Sequence, residues 1–256
     1  MPKDHIFFGD TFPVPASDEQ SVMTSSAVET LKTELGTAII PSDNHRAILL
    51  RISRHYFFTR DYEKLKSCVS ELEQLYPDIQ SSIEFIVLKF NVLFLAGKTR
   101  KAQDILEHAA TQEWTDENKH TIFYYLGKAY FWNGDYLRAN QLLQRCHHYY
   151  ISVSDHYMIG SVLFMLGYIA FQKSYFDISE SYYIKALEQF KAIKKSNELR
   201  KTYHMLGILA YRTGRYGEAK INLTKAKKWA VNSDNRIGVI NSNIALARLS
   251  MYVAPT

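Results

Sequence analysis

The sequence predicts an all-α fold: a solenoid of five helical hairpins closed by a C-terminal capping helix. Three observations carry this expectation. Between Pro77 and Pro255 the chain has no proline, the residue that breaks helix interiors. Apolar residues recur at helical spacing from Arg46 onward, the pattern of amphipathic helices. Finally, Gly127, Gly167 and Gly207 stand 40 residues apart, each directly after a leucine. At matching offsets follow Tyr136, Phe176 and Tyr216, then Ala139, Ser179 and Ala219, then Cys146, Ala186 and Ala226. A repeat of this length implies stacked units, each unable to bury its apolar face alone.

Residues 1–45 differ from the rest. They hold four of the six prolines and a Ser/Thr-rich run, and they read as an extended or disordered arm. One short helix is expected from Val28. Residues 46–256 form the repeat domain. Its first hairpin spans about 46–77 and turns at Arg60-Asp61-Tyr62; the second spans 83–113 and turns at Gly97. The third, 120–150, turns at Asn133-Gly134-Asp135, and 158–194 and 200–232 repeat it. A final helix, 236–252, lacks a partner. The in-helix glycines have a packing reason, because each costs about 1 kcal/mol against alanine. Removing Cβ lets the second helix of a hairpin approach the first.

Composition excludes several classes. No apolar run reaches the length of a membrane span, which makes a cytoplasmic location the expectation. Cys68 and Cys146 are too few for a disulfide framework. The charge is unevenly spread. Residues 1–45 carry two lysines against seven acidic residues, whereas residues 185–236 carry thirteen basic residues against four acidic ones. A single-sign region of this kind attracts acidic segments or nucleic acid.

Motifs for chemistry are absent. Ala96-Gly97-Lys98-Thr99 resembles the end of a phosphate-binding loop, but position 92 is valine where that loop needs its first glycine. Cys146, His147 and His148 are consecutive on a helix and point in different directions, with no second ligand pair in range. Cys146 reads as a buried thiol at a small-residue position. No His-Glu-x-x-His or Gly-x-Ser-x-Gly pattern occurs. The expectation is therefore no catalysis, no metal and no cofactor.

Leu126-Gly127, Tyr130, Gly134-Asp135-Tyr136 and Ala139 together resemble the tetratricopeptide repeat (TPR). The resemblance extends through the copies at Gly167 and Gly207 and weakens upstream, where Ser53 and Phe90 replace the glycine and Lys89 its leucine. The 40-residue spacing also exceeds the usual 34 of that family. The resemblance implies a right-handed superhelix whose first helices line a concave groove. On this sequence the groove would hold Arg54, Asn91, Tyr124, Lys128, Phe131, Phe164, Tyr168, Phe171, His204 and Tyr211. It implies a scaffold that captures a peptide or protein segment, acidic by charge complementarity, with the acidic arm able to mask the same surface. Lys128 and Asn91 match the carboxylate clamp of chaperone-binding members only in part. Two alternatives remain open: a peptide-sensing regulator of the bacterial TPR type, and nucleic-acid binding through residues 185–236. The apolar flank of the last helix, near Ile240, Ile244 and Leu246, offers a route to a homodimer.

Overall fold

The computed structural model describes residues 23–252 apart from 39, 60 and 234. Of the arm expected over residues 1–45, residues 1–22 lie outside the described residues, whereas 25–37 form a full helix and the next helix already begins at Asp43. Twelve α-helices and one 3-10 turn are described, and there is no strand among the described residues. None of these helices is long and apolar enough to cross a membrane. The chain forms two compact units that meet within one helix, between Leu142 and Leu143.

The first unit begins with α1 (Ser25–Thr37), whose N-terminal amides are capped by the Thr24 hydroxyl. The short helix expected from Val28 thus starts earlier, and it buries Val28 and Leu31. Next come α2 (Asp43–Thr59) and α3 (Tyr62–Leu75), then a 3-10 turn at Pro77–Ser81. The helices α4 (Ile83–Leu95), α5 (Thr99–Ala110) and α6 (Asp116–Trp132) follow, and α7 (Tyr136–Ser152) begins in this unit. Helices that open with Asp61, Ser82, Thr115 or Asp135 use that side chain to accept a backbone N–H from the first turn. Such a cap is worth about 1 kcal/mol.

The second unit completes α7 and adds α8 (His156–Gln172), α9 (Phe176–Ala192), α10 (Ser196–Arg212), α11 (Tyr216–Asn232) and α12 (Arg236–Ser250). Each helix packs on the next from α8 to α12. The alternation of first and second helices at a 40-residue register is therefore present as expected. Gly207 shows why the register carries glycine: a Cβ placed there would lie 2.7 Å from Leu223 Cγ on α11. At Gly167 it would meet the Tyr183 ring at 2.9 Å. The core between these helices is built from Ala210, Ala219, Leu223, Ala245 and Leu249.

One turn geometry recurs throughout. The backbone N–H of Asp135, Tyr175 and Arg215 reaches back to the carbonyl of Tyr130, Ala170 and Ala210, at 2.8, 2.9 and 2.8 Å. The preceding residue is left-handed in each case, with φ of 87° at Gly134, 61° at Ser174 and 76° at Gly214. This is the helix-ending motif that favours glycine. Ser174 occupies the glycine position at a steric cost. Ser174→Gly is expected to raise stability by about 0.5 kcal/mol, after the greater freedom of glycine in the unfolded chain is subtracted. Thermal unfolding of the pair of proteins checks it, and an unchanged or lower midpoint would refute it.

Candidate functional site

In the first unit the expected polar residues fall in register. Arg54, Asn91 and Lys128 are 37 residues apart and sit on the successive first helices α2, α4 and α6. Arg54 is half-buried, and its Nε lies 2.6 Å from Glu84 Oε1 on α4. Asn91 is fully buried: its amide donates to the Val87 carbonyl at 2.7 Å. Its Oδ1 has no hydrogen-bond partner among the described residues. Lys128 is 1% exposed. Its ammonium lies 4.8 Å from the Tyr125 ring centroid, 5.6 Å from Tyr124 and 5.9 Å from Phe90. Three rings around a buried ammonium supply cation–π attraction of about 0.5–2 kcal/mol each, which offsets part of its lost hydration.

Tyr124 is also fully buried, edge-on to Tyr125 at 5.4 Å. Phe131 is buried against Trp132 and Tyr136. In the second unit, Phe164 is buried beside the Tyr183 ring at 5.4 Å, and Tyr168 and His204 are buried as well. Phe171 and Tyr211 are half-exposed. Seven of the ten residues placed in the groove from sequence are therefore buried, and only Arg54, Phe171 and Tyr211 are open in part.

The physical reason is visible in how rings are used between repeats. Phe94 meets Trp132 edge-on at 5.5 Å, Phe171 lies under the Arg212 guanidinium at 5.8 Å, and Tyr211 meets Tyr252 at 5.5 Å. Each pair joins one first helix, or the residues just past its end, to the next. These rings stitch repeats together, and their area is spent on stacking instead of standing free.

Further charged residues line the first helices. On α10, Glu198 and Lys201 are both buried, with Lys201 Nζ 3.7 Å from Glu198 Oε1. Arg200 is buried too, and its stem passes so close to Gly238 on α12 that a Cβ there would lie 2.8 Å from it. The i,i+3 spacing of Glu198 and Lys201 was a usable signal. Glu84 had none, because its partner Arg54 is on another helix. Among the described residues no cluster of three or more His, Cys, Asp or Glu could hold a metal ion. Both cysteine thiols are pushed up by burial, Cys68 to about 11 and Cys146 to about 12, so neither is a ready nucleophile.

No protein-family model matches the chain, and no curated protein matches it. Solved structures do. A Rap protein complexed with Competence and Sporulation Factor superposes with a TM-score of 0.72 at 13% identity, over 91% of this chain and 67% of that one. The Cut9 and Hcn1 hetero-tetramer of APC/C gives 0.68 at 16% identity, over 92% of this chain. Aspartyl phosphate phosphatase F from Bacillus subtilis gives 0.66 at 13% identity, over 82% of this chain. The chain spans 41% of the Cut9–Hcn1 chain and 57% of the phosphatase. At these identities the likeness is one of fold: the chain shares an all-α helical-repeat fold with these structures.

Proposed function

We propose that the chain is a non-catalytic repeat scaffold that binds a peptide or protein segment on the first helices of its hairpins. The observation that supports this reading lies on the successive first helices α8 and α10 of the second unit, where the exposed Arg212 guanidinium stands over the partly open Phe171 ring and Tyr211 is partly open beside it. An extended peptide has what they would bind: a carboxylate for Arg212 and apolar side chains for the ring edges. The stacked helices hold these side chains in place, so little entropy is lost on binding. The Rap protein that shares this fold is complexed with a Competence and Sporulation Factor, which makes a peptide-sensing role one form of the same reading.

The test is selection from a displayed library of random short peptides. The intact chain should enrich a consensus with an acidic side chain or a free C-terminal carboxylate. Arg212→Met, which keeps the stem and removes the charge, should weaken that consensus about tenfold or more, as loss of an interface anchor does. No consensus, or one indifferent to Arg212→Met and Tyr211→Ala, would overturn the reading.

A further inference from the structure

We propose that one end of the second unit is a docking surface for an anionic lipid bilayer. The inference is independent of the peptide-binding reading and concerns different residues. The connections place the end of α7, the start of α8, the end of α9, the start of α10, the end of α11 and the start of α12 together. Four contacts fix this arrangement. His156 at the start of α8 pairs its Nδ1 with Gln189 near the end of α9 at 2.8 Å. Lys195, between α9 and α10, lies over the Tyr157 ring at 5.7 Å. Lys225 on α11 lies over the Tyr203 ring of α10 at 5.4 Å. Gly238, in the first turn of α12, packs against Arg200 and Ala230.

Two kinds of side chain project here. Lys191, Lys194, Lys228 and Arg236 are exposed and take no carboxylate partner among the described residues. Against them stand Asp155, which caps α8 through the Met158 N–H at 2.9 Å, and Glu188; Glu198 is buried with Lys201. Beside the lysines are exposed aliphatic side chains: Ile151 at 51%, Val153 at 51%, Val231 at 58%, Ile237 at 48% and Ile240 at 55%. All lie within about one helical turn of the end. Lysines alone would suit any polyanion, including a nucleic-acid backbone. Aliphatic tips gain nothing from phosphates in water but gain from entering the acyl boundary, so the pairing selects an anionic membrane surface. Binding would be peripheral and reversible, through shallow insertion of these tips under a lysine-held headgroup layer.

The experiment is flotation of the full chain with vesicles of phosphatidylcholine alone or with about 30% phosphatidylserine. The intact protein should float with the anionic vesicles only. Lys191→Glu/Lys194→Glu/Lys228→Glu should lose at least about a hundredfold in partitioning, from about fivefold per lysine. Val153→Ser/Val231→Ser/Ile237→Ser, with every charge kept, should lose about tenfold or more. All six positions are exposed, and unchanged circular dichroism will confirm that the variants fold. Failure of the intact protein to float overturns the proposal. So does full flotation of the serine variant, and binding of an oligonucleotide that only the lysine variant loses would then assign the end to a phosphate backbone.

Discussion

Leu223→Ala is expected to lower the unfolding free energy by about 2–5 kcal/mol, because the side chain is about fully buried and its loss leaves a void between α10 and α11. The size of the effect follows from the closeness of Gly207, where the two helices leave no room for even a methyl group. Gly207→Ala alone combines two opposed effects. It gains about 1 kcal/mol of helix propensity, and it loses about 1–3 kcal/mol by forcing a carbon into Leu223. The net should be destabilising. With Leu223→Ala already in place, the same alanine enters empty space and keeps its propensity gain, so the sign should reverse. The nearest remaining atom is the Leu223 backbone nitrogen at 3.2 Å, which a shift of a few tenths of an ångström relieves. Urea unfolding of the two single variants and the double variant measures the coupling. A double-variant loss equal to the sum of the single losses would show that the glycine is not there for contact with Leu223.

That pair also shows which part of the structure can be read from one sequence. Leu206-Gly207, Tyr216 and Ala219 recur at fixed offsets because every hairpin meets the same steric demand, and a demand met three times leaves a visible period. The turns were legible for the same reason, although Ser174 hid one of them by standing in a glycine place. The side chains of the candidate site keep the register but not the residue type. Lys128 and Tyr168 share one register position, yet one is an ammonium among rings and the other a buried phenol. Register places a residue on a helix face, but exposure depends on what the next repeat sends across. Phe94 meets Trp132 and Phe171 meets Arg212 from equivalent register positions, but the period does not say whether a ring or a guanidinium arrives there. Ring identity therefore suggested a free wall where the structure spends the rings on stacking. The Arg54–Glu84 pair was illegible because the two residues belong to different helices and different copies.

Alkaline pH is expected to remove about 3 kcal/mol of stability through a single thiol. Cys146 lies at a small-residue packing position and is fully buried, and burial pushes it from an ordinary 9.0 to about 12. Below pH 9 the folded and unfolded chains both hold this proton, and the contribution to stability is complete. Between pH 9 and pH 12 the unfolded chain releases the proton while the folded chain keeps it, so stability falls as pH rises. At pH 11 the two states differ by about two units, or about 3 kcal/mol. Cys146→Ala should cost about 1 kcal/mol near neutrality for the lost sulfur contacts, yet it has no thiol to ionise. The variant should therefore be the weaker protein at pH 8 and the stronger one at pH 11. Burial moves the Cys68 thiol and the Tyr183 phenol upward as well, and both steepen the alkaline loss. They do so equally in the two proteins, so the difference between the urea midpoints isolates Cys146. A difference that stays constant from pH 8 to pH 11 would mean that the thiol ionises without unfolding the helix pair around it, and that α7 is less tightly held than its buried face implies.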